Sequence, residues 1–203
     1  MTEGNADEHD DHGHEHEEGH GHHHDDIETL GVSVVTISST RSLDDDPSGD
    51  AIVSACTDAG HDVVHRELVP DDHDRIQSIV GQLSKRDDTD SVVTTGGTGG
   101  SPDDVTVEAV ADAFERDLTV SPVVRADVEA GLAEIDARVP DRDVDVDVDA
   151  AAALPAESRP LLNEAGLAPG CVLESFYVFP GVPGELESMF RVVADEFPGN
   201  VRS

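Results

Sequence analysis

The first half of the chain alternates between short apolar runs and segments with helical spacing. Residues 30–38, LGVSVVTIS, form a β-branched apolar run, which is typical of a strand buried on both faces. Similar runs at 61–69 and 90–95 predict two further strands. Apolar residues spaced three and four apart predict the helices that connect and follow them, at 50–60, 70–86 and 105–118. This order predicts βαβ units, and therefore a parallel sheet covered by helices.

The second half is less regular. Residues 121–139 have the spacing of a helix, whereas residues 141–150, DRDVDVDVDA, alternate strictly and indicate either an exposed strand or an acidic linker. Residues 153–170 contain three prolines and are typical of a loop. Residues 171–197 predict a strand, a tight loop and a final amphipathic helix. The whole pattern predicts an α/β domain over residues 27–203.

The net charge of the chain limits the classes of partner that it can bind and indicates its habitat. The chain has 46 acidic and 12 basic residues, a formal net charge of -34, and 36 of the acids lie beyond the first 26 residues. No basic patch is available to meet phosphates, which argues against nucleic-acid binding. The apolar periodicity over 31–117 argues against general disorder. A dense acidic surface is instead expected of a protein adapted to high salt, which screens its self-repulsion.

The first 26 residues form a low-complexity tail with eight of the eleven histidines and ten acids. Nothing in this segment can bury itself, so we expect it to be disordered. Two interpretations are open: a solvated acidic tail, which we favour, or loose binding of zinc, nickel or copper by imidazoles beside carboxylates. The spacing fixes no single coordination geometry.

Cysteine usage and hydropathy indicate the compartment. Cys56 and Cys171 are too few and too far apart for a disulfide framework, so we expect both to be buried as small apolar residues. The N-terminus has no apolar signal-peptide core, and no run of about 18 apolar residues exists to span a membrane. We therefore expect a cytoplasmic protein without a membrane partner.

A glycine-rich loop follows the third predicted strand. Residues 94–106, TTGGTGGSPDDVT, contain four glycines, which let backbone N–H groups approach an anion at the start of the next helix. The alternative is a tight turn with Asp104 as the helix N-cap. In an open α/β sheet, ligands bind beyond the carboxyl ends of the strands, so the loops after the strands are expected to converge on one cleft: 39–49, 70–72, 96–104 and 180–184.

Adjacent carboxylates make this loop unusual for a phosphate cradle. Asp103 and Asp104 would repel a phosphate unless a cation lies between them, and Mg²⁺ takes one or two carboxylates together with phosphate oxygens. Asp71 and Asp72 also follow a strand and are candidates for further ligands. In so acidic a chain, the alternative for any such pair is solvated surface.

These residues resemble the molybdopterin-binding domain of molybdenum-cofactor biosynthesis proteins, shared with the G domain of gephyrin. TTGGTG followed by DVTVEA is similar to that family's TTGGTG…RDxTxEA signature, and DDDPSGDAIVSACTDAGHDVV and ELVPDDHDRI match segments upstream. The resemblance covers residues 31–118. It implies a three-layer α/β/α sandwich with a mostly parallel sheet, and a homo-oligomer, either a trimer or a hexamer.

The resemblance also implies a reaction and its residues. Well-known members transfer AMP from Mg-ATP to the terminal phosphate of molybdopterin. By position, Asp71 and Asp104 would be catalytic and would hold Mg²⁺, while molybdopterin and ATP would be ligands. The residues implied to bind substrate are Ser48, Gly49, Thr95, Gly96, Gly97, Thr98, Gly99, Asp103, Asn163, Pro180, Gly181, Pro183 and Glu185.

Two departures point to a related family. Asp103 stands where the signature has Arg, and the SRxxxG segment is absent. In its place, NEAGLAPG (163–170) and FPGVPGELESMF (179–190) are similar to the N-terminal domain of the competence-damage-inducible protein family. That family is associated with hydrolysis of nucleotide pyrophosphates such as ADP-ribose. It usually carries an additional amidase domain, which we do not expect here.

Three functions therefore compete. The first is a molybdopterin-binding protein of cofactor biosynthesis, expected to act as an adenylyltransferase. The second is a metal-dependent hydrolase of ADP-ribose or a similar pyrophosphate. The third is a binding module that keeps the pocket without the chemistry.

Overall fold

The structure of the chain is a computed structural model that describes residue 1 and residues 29–99, 101–139 and 146–194. The predicted tail over residues 1–26 lies, apart from Met1, outside the described residues. Within the described parts, no helix combines the length and the apolar character needed to cross a membrane.

Two sheets organise the domain. Their strands are β1 (Gly31–Ile37), β2 (Asp62–Val69), β3 (Ser91–Thr95), β4 (Leu118–Val120), β5 (Ala153–Pro155), β6 (Arg159–Leu161), β7 (Gly170–Leu173) and β8 (Phe176–Phe179). The main sheet has the order β2-β1-β3-β8-β7-β6, and β4 pairs with β5 in a separate antiparallel sheet. In the main sheet β2, β1, β3 and β8 are parallel neighbours, whereas β7 runs antiparallel to β8 and β6.

Helices cover both faces of the main sheet. They are α1 (Pro47–Asp58), α2 (His73–Leu83), α3 (Thr106–Ala113), α4 (Pro122–Arg138), α5 (Val148–Ala151) and α6 (Pro183–Val193). Side chains alternate along β1: Val32 and Val34 pack with α1 and α6, and Val35 and Ile37 pack with α2, α3 and α4. The predicted three-layer α/β/α sandwich with a mostly parallel sheet is confirmed.

The helix α1 begins at Pro47 rather than at residue 50, α2 begins at His73 rather than at residue 70, and both starts have acidic caps. Asp46 accepts a hydrogen bond from the Gly49 N–H at the start of α1, and Asp72 accepts one from the Arg75 N–H at the start of α2. The third helix is shorter than predicted. It ends at Ala113, because the chain turns and begins β4 at Leu118.

The C-terminal half differs from the sequence prediction in three places. Residues 153–170 were expected to be a loop but contain β5 and β6, and residues 171–179 form a hairpin of two strands rather than one strand. Both added strands have only three residues, and their prolines are tolerated because β5 pairs with β4 alone and β6 lies at a sheet edge. Within 141–150, residues 148–150 are helical, which excludes a strand there, and residues 141–145 lie outside the described residues.

Both cysteines are buried and free, as predicted. Cys56 faces the layer of α1 and α6, and Cys171 faces the opposite layer. Their thiols therefore contribute to packing, and burial raises the pKa of each to about 12.

Candidate functional site

The glycine loop after β3 is pressed against its neighbours. Gly96 and Gly97 have φ of +106° and +64°, which side chains rarely adopt. A Cβ at Gly96 would overlap the Ile37 carbonyl oxygen, and a Cβ at Gly97 would overlap Thr106 Oγ1. The loop backbone therefore lies between the end of β1 and the first turn of α3, a place that only glycine can occupy. Gly100 lies outside the described residues.

Two buried hydroxyls of this region make no hydrogen bond within the described residues. Thr98 is 3% exposed and Thr106 is fully buried, and the Oγ1 atoms of both lack a partner there. Buried polar groups are nearly always hydrogen-bonded in native proteins. Two such hydroxyls beside a glycine loop are the donors expected to meet a ligand or an ordered water.

Asp104 forms a turn with Ser101 and does not cap the helix. Its Oδ2 accepts from the Ser101 N–H at 3.0 Å, and its own N–H donates to the Ser101 carbonyl oxygen at 2.9 Å. The N-cap position of α3 is Val105, which has no side-chain cap. The N-cap interpretation of Asp104 is therefore wrong, because the nearer Ser101 N–H takes the carboxylate. Its Oδ1 accepts no hydrogen bond from any described residue.

A cavity of about 550 Å³ opens at the carboxyl ends of β3 and β8. Seven of the residues implied by the resemblance line it, namely Gly97, Thr98, Gly99, Asp104, Pro180, Gly181 and Glu185. Except for Glu185, which lies in α6, they come from two of the four loops that were expected to converge. A cavity at this edge of a parallel sheet is the usual position of a ligand site.

Three more of the implied residues join these two loops without lining the cavity. Thr95 Oγ1 donates to the Pro180 carbonyl oxygen at 2.8 Å, and Ser48 Oγ donates to the Gly181 carbonyl oxygen at 2.7 Å. Gly96 and Gly181 are in close contact, since a Cβ added at Gly181 would lie 3.1 Å from the Cα of Gly96. These contacts fix the position of the 180–182 loop against the glycine loop.

Asn163 organises the opposite wall. Its Nδ2 donates to the Ala168 carbonyl oxygen and to Glu185 Oε2, both at 2.8 Å, and its Oδ1 accepts from the Ala165 N–H at 3.0 Å. The carboxylate of Glu185 also lies against Gly166, where no Cβ would fit. Burial raises the pKa of Glu185, and the hydrogen bond from Asn163 only partly opposes that rise.

The remaining four implied residues also lie outside the lining of this cavity. Asp71 is joined to Ser39, whose backbone N–H donates to Asp71 Oδ2 at 2.6 Å. Gly49 lies against the Asp46 carboxylate, Asp103 is exposed, and Pro183 occupies the first turn of α6. The loops 39–49 and 70–72 therefore meet each other at the same sheet edge, beside the cavity.

An apolar wall was missed by the sequence analysis. It is formed by Ile135 of α4, Val146, Leu167 and Val182. Leu167 lies within the NEAGLAPG segment, which the resemblance had already singled out. Ile135 and Val146 carried no comparable signal, since one lies on a weakly amphipathic helix and the other in the acidic alternating segment.

The charge of the cavity wall is negative. Among the described lining residues Asp104 and Glu185 are carboxylates, and none is Lys or Arg. The described residues also contain no group of three or more His, Cys, Asp or Glu placed to hold a metal ion. Mg²⁺ needs only one or two carboxylates when substrate phosphates complete its shell, so the unshared Oδ1 of Asp104 fits such an ion.

The chain is similar to two groups of known proteins, the molybdenum cofactor biosynthesis proteins B and the CinA-like proteins. It is 41% identical over 85 residues to molybdenum cofactor biosynthesis protein B of Bacillus anthracis, covering 42% of this chain and 50% of that protein. It is 32% identical over 172 residues to a CinA-like protein of Parasynechococcus marenigrum, covering 81% of this chain and 39% of that protein. The chain thus spans half or less of the length of these two curated relatives.

A solved structure agrees with the similarity to CinA-like proteins. The protein CinA from Thermoplasma acidophilum superposes with a TM-score of 0.63 at 27% identity, covering 83% of this chain and 98% of that one. The sequence model of a family described as "Probable molybdopterin binding domain" matches residues 33–198, which include most of β1, the glycine loop and α6. Both resemblances found in the sequence are confirmed, and the chain belongs to the molybdopterin-binding domain family.

Proposed function

We propose that this domain acts in molybdenum cofactor biosynthesis as a molybdopterin adenylyltransferase that depends on Mg-ATP. The observation that carries the proposal is the juxtaposition, at one cavity, of the glycine loop, Asp104 and the buried Thr98 hydroxyl, which has no partner among the described residues. The family match supports a pterin ligand. A site built for phosphates, but without Lys or Arg in its described lining, requires a cation for charge balance.

The reaction needs alignment more than covalent chemistry. An anionic oxygen of the terminal phosphate of molybdopterin would attack the α-phosphorus of ATP, and the bond to the departing pyrophosphate would break. No proton needs to be removed from the attacking oxygen. The glycine loop and the hydroxyl of Thr98 would position phosphate oxygens, since preorganised donors act strongly in a closed site. Mg²⁺, held by Asp104, would neutralise phosphate charge.

Asp104→Asn tests this assignment. The variant keeps an oxygen for the Ser101 N–H but loses the charge that would hold Mg²⁺. We expect AMP transfer to fall by about 100-fold or more, measured as pyrophosphate release in molar KCl with Mg²⁺. Asp117→Asn is the control, because Asp117 is exposed and does not line the cavity. Unchanged turnover in Asp104→Asn would contradict the assignment of Asp104 as the residue that holds Mg²⁺.

A second candidate is hydrolysis of ADP-ribose or a related nucleotide pyrophosphate. It is favoured by the Asn163–Ala168 and Pro180–Glu185 segments, which line or brace the cavity, and by the similarity to CinA-like proteins. Water would attack one phosphorus and release AMP and ribose 5-phosphate. AMP formed from ADP-ribose without any pterin would support this candidate over the transferase.

A binding module without turnover is the remaining candidate. It predicts that molybdopterin raises the unfolding temperature of the domain while ATP is not consumed, since a ligand of the folded state stabilises it by mass action. A thermal-shift comparison of molybdopterin, ATP and ADP-ribose in molar KCl with Mg²⁺ separates the three candidates. No shift with any of them would contradict both enzyme proposals.

We also propose that the domain assembles as a trimer or hexamer and that molar salt is its natural medium. Sedimentation velocity in molar KCl tests the assembly, and a single monomeric species would contradict it. Unfolding temperature measured from low to molar KCl tests the salt adaptation, which requires a marked rise with salt because screening reduces acidic self-repulsion.

A further inference from the structure

Glu185 is a carboxylate in the cavity wall that lacks a cationic partner among the described residues. It lies in the first turn of α6 and is only partly exposed. Its Oε2 accepts from Asn163 Nδ2 at 2.8 Å, and it forms no ion pair within the described residues. A carboxylate that is partly removed from water without a compensating charge costs free energy. Its place in the wall therefore calls for a role toward a ligand.

The carboxylate is held in one position. Asn163 uses its two N–H bonds on Glu185 and Ala168 and its oxygen on Ala165, so the side-chain amide cannot rotate away. The other carboxylate oxygen, Oε1, lies against Gly166, where any Cβ would overlap it. Oε1 makes no hydrogen bond within the described residues. A fixed oxygen with an unused lone pair, at a cavity wall, is suited to accept N–H bonds from a ligand.

The apolar residues beside it fit a flat ring. Ile135, Val146 and Leu167 line the same cavity and carry no polar side-chain atoms. A ring held between aliphatic side chains turns its edge toward the polar part of the wall. The edge that matches a carboxylate presents two adjacent N–H donors, whereas adenine presents a donor beside an acceptor.

We propose that Glu185 recognises the adjacent ring N–H and exocyclic amino group of a 2-amino-4-oxopyrimidine edge, and so selects a pterin-like ring over rings without that amino group. This inference rests on the proposed function, because it assigns the pterin part of the substrate to this wall of the cavity. Asn163 is the positioning residue that keeps the carboxylate in place. The phosphate end of the same ligand would reach the glycine loop across the cavity.

The test compares two probes that differ only at the recognised edge. They are 6-hydroxymethylpterin phosphate and its lumazine counterpart, in which an oxygen replaces the 2-amino group. Dissociation constants are measured by fluorescence titration in molar KCl with Mg²⁺. We expect the unsubstituted domain to prefer the pterin by about tenfold or more, because the lumazine oxygen would face the carboxylate.

Glu185→Gln should reduce that preference to about twofold, since the amide offers one acceptor and one donor instead of two acceptors. The substitution is nearly isosteric and can still accept from Asn163, and Glu185→Ala provides a second variant. Glu187→Gln is the matched control on the same helix, because Glu187 is exposed and does not line the cavity. It should keep the full preference.

Several outcomes would overturn the inference. They are an undiminished preference in both Glu185 variants, no preference in the unsubstituted domain, and no binding of either probe. A loss of Mg²⁺ dependence in Glu185→Gln, with the ring preference intact, would instead make Glu185 a metal ligand. The proposed transferase fails separately: if AMP transfer is absent while ring preference depends on Glu185, the inference stands and the transferase does not.

Discussion

Asp71 and Ser39 bind each other reciprocally, each with its backbone N–H to the other's side chain. Ser39 N–H donates to Asp71 Oδ2 at 2.6 Å, and Asp71 N–H donates to Ser39 Oγ at 3.0 Å. The pair joins the end of β2 to the loop after β1, next to the cavity. One carboxylate oxygen is thereby used for structure, whereas Oδ1 accepts no hydrogen bond from the described residues. A metal role for Asp71, which the family resemblance implies, would fall to this second oxygen.

Substitution of Asp71 separates these two roles. Asp71→Asn can keep both bonds, so we expect its free energy of unfolding to change by less than about 0.5 kcal/mol, while Asp71→Ala loses about 1 kcal/mol. If the charge holds Mg²⁺, Asp71→Asn should still lower AMP transfer tenfold or more. Urea unfolding and pyrophosphate release measure the two effects, and normal transfer by the Asn variant would remove the metal role.

The buried carboxylate of Asp46 makes stability depend on pH. Burial alone would raise its pKa, but hydrogen bonds from Arg66, Gly49 and Thr36 outweigh it and lower the pKa below 3.8. Its contribution to stability is therefore present above pH 3.8 and is lost as the pH falls through the lowered pKa. We expect Asp46→Asn to cost about 2 kcal/mol at pH 7, because Arg66 loses a partner at 2.9 Å.

Urea unfolding from pH 7 to pH 3 checks this prediction. The difference between Asp46→Asn and the unsubstituted domain should shrink as the carboxyl protonates. Asp45→Asn is the control, since the Asp45 side chain is 80% exposed and its contact with Arg41 should contribute little. A difference that stays constant over this range would contradict the account.

Gly97→Ala should damage both the loop and its binding. The position has φ of +64°, and the new methyl group would overlap Thr106 Oγ1. We expect a loss of about 2 kcal/mol or more in the free energy of unfolding and a loss of phosphate-ligand binding. Gly184→Ala is the matched control, because nothing lies within 4 Å of its added Cβ and its backbone is helical. That change should stabilise by about 0.5 kcal/mol.

Glu185→Gln should stabilise the unliganded domain at neutral pH. Because burial raises the pKa of Glu185 above 4.5, ionisation costs folding free energy as the pH rises through the folded value. We expect a gain of less than about 1 kcal/mol at pH 7 that disappears below pH 4.5. Thermal or urea unfolding at both pH values measures it, and a variant that is less stable at pH 7 would contradict the prediction.

The two thiols should be inert in the folded domain. Burial raises the pKa of Cys56 and Cys171 to about 12, so neither carries appreciable thiolate near neutral pH. We expect a disulfide reagent to modify neither at a measurable rate in native buffer and both in denaturant. Rapid modification of either thiol in the native protein would show that its layer opens locally.

The fold and part of the site could be predicted from the sequence, for identifiable reasons. β1 and β3 were predictable because their buried β-branched runs are long enough to be distinctive, whereas β5 and β6 have three residues each and contain prolines. The glycine loop was predictable because its backbone requires glycine. Ile135 and Val146 were not, because they reach the cavity only through tertiary packing. The hydrogen bond from the Ser101 N–H to Asp104 was not predictable either, because no residue pattern tells whether this carboxylate binds the turn or caps the helix.

The lack of Lys or Arg among the described residues that line the cavity has a thermodynamic consequence. If an anionic ligand and a divalent cation share this site, each tightens the binding of the other by the same factor. An affinity measured for either one is then a property of the mixture and has meaning only at a stated concentration of the other. Occupancy of the site would then depend on the concentrations of the ligand and of the cation together, and would be high only when both are available.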